Sequence, residues 1–401
     1  MITYLDRTTI SLVGVRIKAE FHLSNEQFGW ILGAFALAYA LFEIPSGVLG
    51  DRLGQKSVLV RIVLWWSLFT ALTGAASGFF SLILCRFLFG VGEAGAFPNS
   101  TATISRWFPA RETSRAISSV LIGLNFGAAI APLLVVPIAT AFGWRAPFFV
   151  NALIGVAWVV IFLRWFHNEP SHMKSISQKE VQLIEETRRH TNHREGFPWK
   201  RTLGSRNILA MLFAFFSSQW ALYFFIAWMP VYLQQGKHFS EFEMGRTTSF
   251  LFIVGIAGSI LSGFLGDWLT KKKSLKFSRR LVGMMALSLT SVAFFLVART
   301  ENKYLISVGL ILGDLFFSFF GIVGFSTCID IGRHRAGTVA GIMNFSAQLG
   351  AFLLAIFFGK VVDLTHDFNF PMYVIGAILL LGGLLWGTVD PNRQIATKTG
   401  A

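Results

Sequence analysis

Charge is what this sequence has least of. Only 14% of its 401 residues are Asp, Glu, Lys or Arg, against roughly a quarter in soluble domains. That excludes an ordinary soluble globule. Cysteine is nearly absent: Cys85 and Cys328 each fall in an apolar run, which excludes a disulfide framework. The eight histidines form no H-x-x-x-H pair and no Cys/His cluster, so a metal has no ligand set and no cofactor is expected. A cleavable signal peptide is missing too, because Asp6–Arg7 interrupts the first apolar run and no basic n-region precedes it. No nucleophile–base constellation appears, so an enzyme is not expected.

What is present is apolar and aromatic: 54% hydrophobic residues, with 42 Phe and 12 Trp. These suit lipid-facing surfaces and interfacial belts. A membrane span needs about 20 mostly apolar residues. Eleven such segments are readable, near 26–50, 57–77, 80–104, 114–141, 144–166, 207–235, 244–269, 280–299, 304–328, 336–362 and 370–390. Residues 1–18 make a twelfth that reads as incomplete. The one long connection, about 167–205, is polar and charged. The expected organisation is therefore a six-span bundle over 1–166, a linker over 167–205, and a second bundle over 206–401.

The net charge of +14 raises the question of nucleic acid, and its distribution answers it. With the linker placed in the cytoplasm, alternate loops on that side carry Arg52 and Lys56; Arg106, Arg111 and Arg115; nine cations from Arg164 to Arg206; Lys271–Lys273, Lys276, Arg279 and Arg280; Arg333 and Arg335; and Arg393 and Lys398. The opposite side has only scattered cases. This is the positive-inside asymmetry of a polytopic membrane protein. It predicts cytoplasmic termini, and nucleic acid is not an expected partner.

The halves echo each other. "PSGVLGDRL" (45–53) and "LSGFLGDWL" (261–269) align at an offset of 216. "SRAISSVLIGLNFG" (114–127) and "HRAGTVAGIMNFSA" (334–347) align at 219 to 220. The repeat holds an even number of spans, so the halves run in the same orientation. Parallel repeats place a substrate near the bilayer midplane, between them.

"GVLGDRLGQK" (47–56) resembles the loop signature of the major facilitator superfamily. With "YLDR" (4–7), "RFLFGVGEAGAFPNS" (86–100) and "WMPVYL" (228–233), the chain resembles its anion:cation symporter family. That family includes bacterial galactonate, glucarate and hexuronate transporters and, more distantly, sialin and vesicular glutamate transporters. The resemblance implies an all-α membrane protein of two six-helix bundles related by a pseudo-two-fold axis. It also implies a monomer in a bacterial inner membrane.

A charge at the bilayer centre costs roughly 2.5–3.5 kcal/mol even on a lenient scale, so such residues tend to face a cavity or a partner. Here they are Asp6, Arg7, Glu43, Arg86, Glu93 and Asp314. Arg86 and Glu93, seven apart, share a helix face, and Gly90, Gly92 and Gly95 allow a neighbouring helix close approach. Either they form an internal ion-pair network or Arg86 binds an anion while Glu93 takes a proton. In the resembling transporters the Asp and Glu that match Asp6 and Glu93 carry coupling protons. The arginines that match Arg7 and Arg86 contact or gate the anion.

Guanidinium pairs bidentately with carboxylate, so two intramembrane arginines favour a carboxylate or phosphate substrate over a cation. Neutral groups for a polyol could come from Tyr4, Tyr39, Asn125, Gln219, Tyr223, Ser326, Asn344 and Gln348. Asn125 and Asn344 occupy the same place in the two repeats. Gln219 stands where relatives have Asn, and Glu43 where Gln is familiar. Glu43, Asp51, Arg52 and Asp267 read as gating or packing charges, while Asp314 has no family counterpart.

Drug/proton antiporters of the superfamily carry G-x-x-x-G-P-x-x-G-G in span five. "GLNFGAAIAPLLV" (123–135) lacks its Gly-Pro and Gly-Gly, so symport is expected. The expected function is proton-coupled uptake of a small organic anion, a sugar acid such as an aldonate, hexuronate or aldarate, with H+ as coupling ion. The alternatives are another carboxylate, such as an aromatic acid, or a transporter-like sensor. The five residues ahead of Asp6 cover only about 7 Å, whereas reaching the interface from the midplane takes about 15 Å. The chain as given is therefore expected to lack the cytoplasmic half of its first helix.

Overall fold

The structure is a computed structural model that describes residues 1–109, 112–173, 176–187 and 202–394, without the side chains at 44, 51, 114, 172, 185–187 and 334. Residues 188–201 of the linker and the Asp51 side chain thus lie outside the described residues. The helices are α1 (Ile2–Leu12), α2 (Gly14–Phe21), α3 (Asn25–Leu53), α4 (Gln55–Gly74), α5 (Phe79–Glu93), α6 (Ala96–Trp107), α7 (Thr113–Phe142), α8 (Ala146–Trp165) and α9 (Gln178–Thr187). After the linker come α10 (Arg206–Tyr223), α11 (Glu241–Lys272), α12 (Leu275–Arg299), α13 (Lys303–Gly332), α14 (Ala336–Thr365) and α15 (Phe370–Trp386). Among the described residues, nine helical segments are long and apolar enough to cross a membrane.

Local chemistry sets several starts. Ser240 accepts from the Glu243 amide while Glu243 reaches back to the Ser240 amide, a capping box that opens α11. Asn302 accepts from the amides of Tyr304 and Leu305 and opens α13. Three spans are interrupted. Span one breaks at Val13, between α1 and α2, and span four breaks at Ala94–Gly95, directly after Glu93. Span seven runs from α10 through two π-helical turns, Phe224–Trp228 and Tyr232–Gly236, which flank Pro230. Proline cannot donate its backbone nitrogen, so the regular ladder is already lost there. The "WMPVYL" stretch is buried throughout. Trp228 stacks on Phe358 at 4.7 Å and donates to the Ala355 carbonyl at 3.1 Å, so this motif is packing core.

The contacts divide the chain into two compact units. The first is Met1–Thr9 with Ala34–Asn192, and the second is Ile10–Gly33 with His193–Ala401. The α2–α3 hairpin thus packs with helices from the other half of the sequence. Asp363 on α14 accepts from the Asn25 amide at 3.1 Å, the Asn25 side chain at 2.7 Å and the Glu26 amide at 2.7 Å, satisfying donors at the start of α3. Arg16 on α2 donates to both carboxylate oxygens of Glu241. Tyr223 donates to the Leu32 carbonyl at 2.6 Å.

Each unit repeats the other's internal packing. In the first, α4 packs on α5 and α8, and α6 on α7; in the second, α12 packs on α13 and α15, and α13 on α14. Those are the same pairs six spans on. A side chain at Gly127 would collide with the Met1 carbonyl, and one at Gly350 with the Phe216 carbonyl, the matching contact of spans one and five with seven and eleven.

Gly90 brings α5 against α3: a Cβ there would lie 2.6 Å from the Phe35 carbonyl oxygen. Backbone cannot swing aside as a side chain can. Gly90→Val is expected to lower stability by about 1–3 kcal/mol through overpacking, read as a melting temperature several degrees lower. Gly341→Ala, into open space, is the control and should leave it unchanged.

Candidate functional site

The first unit gathers its intramembrane charges in one place. Asp6 and Arg7 come from α1, Tyr39 from α3, and Arg86 and Glu93 from α5. Asp6 is 2% exposed, Arg86 3% and Glu93 0%. Arg7 Nε donates to Glu93 Oε1 at 2.6 Å. Glu93 thus pairs with Arg7 from another helix.

The guanidinium of Arg7 is lined by three rings, with its Cζ 5.2 Å from the Tyr4 centroid and 4.8 Å from those of Phe35 and Tyr39. Arg86 lies 5.1 Å from Phe35 and 4.7 Å from Phe89. Phe35 therefore serves both cations, with each guanidinium drawn to the negative face of an aromatic quadrupole. Phe35 and Phe89 are the residues that sequence reading missed. In a chain with 42 Phe, the spacing of Phe35 and Tyr39 was the one available hint.

The carboxylates are less well served. Both oxygens of Asp6 and Oε2 of Glu93 are buried without a hydrogen-bond partner among the described residues. Buried polar atoms are normally paired, so three unpaired acceptors in one cluster mark a place for protons, water or ligand donors. Asn151 on α8 approaches the same helix and donates to Thr9 at 2.8 Å. Within the Asp6–Arg7–Arg86–Glu93 quartet two carboxylates stand with two guanidiniums, with Glu43 and the Met1 amine close enough to interact with the cluster.

Asn125 is half-buried on α7 and Glu43 half-buried on α3, while Arg52 is exposed at the end of α3. In the second unit, Gln219 is half-buried and Tyr223 buried on α10, with the Tyr223 hydroxyl bonded to Leu32. Ser326 donates to the Ile322 carbonyl at 2.7 Å. Asn344 is half-buried and Gln348 buried on one face of α14. Asp267 is exposed, with no hydrogen bond or ion pair among the described residues.

Asp314, which sequence reading left unexplained, is buried on α13 against α11, where its carboxylate fills the space beside Gly255. Shifted back by the 220 of the Arg115/Arg335 echo, it falls one residue beyond Glu93. It is the second unit's nearest counterpart to that carboxylate.

A family profile described as Major Facilitator Superfamily matches residues 1–355. The hexuronate transporter of Bacillus subtilis is 31% identical over 392 residues, 96% of this chain and 89% of its own length. The probable sulfoacetate transporter SauU of Cupriavidus necator is 29% identical, with 97% of this chain and 91% of that protein covered. The D-galactonate transporter of Escherichia coli O6:H1 is 27% identical, with 96% and 91% covered. Among solved structures, a bacterial homologue of the human lysosomal transporter Spinster superposes with a TM-score of 0.76 at 17% identity, covering 96% of this chain and 93% of that one.

Proposed function

Since this chain belongs to the Major Facilitator Superfamily and is a multi-pass membrane transporter, we propose that it takes up a small organic anion together with protons, by alternating access. The substrate class is a sugar acid: an aldonate, hexuronate or aldarate. The observation that carries the reading is the Asp6–Arg7–Arg86–Glu93 cluster, balanced in charge and holding unpaired carboxylate oxygens. Arg86 and Arg7 supply the guanidiniums that suit a carboxylate. Asp6 and Glu93 supply the proton sites. Tyr4, Tyr39 and Asn125, with Gln219, Tyr223, Ser326, Asn344 and Gln348 of the second unit, supply hydroxyl and amide groups for a polyol. Glu43, Asp51, Arg52 and Asp267 take gating roles. The hexuronate and galactonate relatives support the substrate class.

The membrane is a bacterial inner membrane with both termini in the cytoplasm, in keeping with the basic loops. The coupling ion is H+, and the protein works as a monomer.

A second reading, a small sulfonated carboxylate, has one specific support in the sulfoacetate relative. Purified protein in liposomes is expected to accumulate labelled glucuronate, galactonate or galactarate when the outside is acidified, and to discharge when the gradient is collapsed. Sulfoacetate accumulating in place of the polyhydroxy acids would move the assignment to the second reading. Accumulation that ignores the pH gradient would reject proton coupling.

A further inference from the structure

At the end of the second unit where the linker enters, the first turns of α10 and α12 and the segment after α15 enclose a cavity of about 590 Å³. Four cations line it, Arg206, Lys276, Arg280 and Arg393, against one carboxylate, Asp390. Helix N-termini carry partial positive charge and favour acidic residues. Here α10 begins with Arg206, α12 carries Lys276, Arg279 and Arg280 in its first two turns, and neither has an acid in its first turn. Both helices thus start against the usual preference, and both starts face one cavity.

The internal partners do not cancel that charge. Lys276 pairs with Asp390 at 2.8 Å, and that contact holds the Asp390 carboxyl below the usual carboxylate range. Arg280 donates to the Val389 and Thr388 carbonyls at 2.7 and 2.8 Å. Arg206 and Arg393 have no side-chain hydrogen bond or ion pair among the described residues.

In the first unit Lys56 is the second residue of α4, and its amide donates to Asn168, from the segment after α8, at 2.8 Å. Val60 holds the place that Arg280 has in the second unit, four residues on.

We propose that this cavity binds the phosphate head group of an anionic lipid. Two features favour a lipid over a soluble phosphate. Leu209 and Leu385 wall the same cavity, so cations and apolar surface adjoin as a head group and its acyl chains do. The cavity also lies at the termini of three apolar helices, α10, α12 and α15. Clusters of Lys and Arg beside spans suit such head groups. Two phosphates, as in a diphosphatidylglycerol, match the surplus of cations better than one. This inference does not depend on which anion is transported.

The test uses the full chain in detergent, titrated separately with tetraoleoyl cardiolipin, dioleoyl phosphatidylcholine and inorganic phosphate, with thermal stability as the readout. Cardiolipin is expected to raise the melting temperature where phosphatidylcholine does not. Among the described residues the R206Q/R393Q variant loses no side-chain bond, so its lipid-free melting temperature should match the parent while it needs about tenfold more cardiolipin for the same shift. Equal cardiolipin response in parent and variant would overturn the proposal. Inorganic phosphate stabilising at concentrations where cardiolipin does nothing would overturn the lipid assignment.

Discussion

Glutamine at position 93 is expected to leave a protein that exchanges its substrate but no longer concentrates it. Glu93 is fully buried, its Oε1 accepts from Arg7, and its Oε2 has no partner. Gln keeps the size and an acceptor for Arg7 but cannot take up or release a proton. For each proton carried per anion, a pH step of one unit supports a gradient of about tenfold. The variant should level off with equal concentrations inside and outside, while exchange of labelled for unlabelled substrate continues. Stability should also fall by about 1–3 kcal/mol, because the half-buried Arg7 guanidinium keeps an acceptor and its three rings but loses its counter-charge. Normal acid-driven accumulation by Glu93→Gln would show that the coupling proton sits elsewhere, with Asp6 the next residue to change.

Arg86→Lys is expected to separate recognition from charge. Lysine keeps the positive charge but loses the planar pair of donors that matches a carboxylate. It also loses the flat face that rests between Phe35 and Phe89. The half-saturation concentration for the substrate acid is expected to rise by about 10- to 100-fold, or about 1.4–2.7 kcal/mol. Its value for an uncharged polyol analogue should not change. Equal loss for both compounds would mean that Arg86 acts on packing rather than on the anion.

The sequence carried the fold class because it is written in strong signals: apolar length and an offset near 216 to 220. The charged members of the cluster were equally legible, since Asp6, Arg7, Arg86 and Glu93 interrupt runs where a charge is costly. What the sequence could not say was which charges pair. A spacing of seven places Arg86 and Glu93 on one face, yet Glu93 forms its ion pair with Arg7, 86 residues away. The aromatic lining was hidden for the opposite reason, because Phe35 and Phe89 are two phenylalanines among 42. Nor does any local pattern predict that Ile10–Gly33 packs with the second unit. That follows from long-range contacts such as Asp363 at the start of α3.

The paired clamps at Lys56–Asn168 and Lys276–Asp390 also hold a record of descent. Five positions lead from Asp51 to Lys56, but nine from Asp267 to Lys276. The later copy is four residues longer between its signature acid and its clamp, within the stretch that carries Lys271, Lys272 and Lys273. The shift of the repeat offset from 216 to 220 falls across this point. An ancestor reconstructed with both copies at the shorter length should lack that lysine run, and with it much of the charge that now marks this loop.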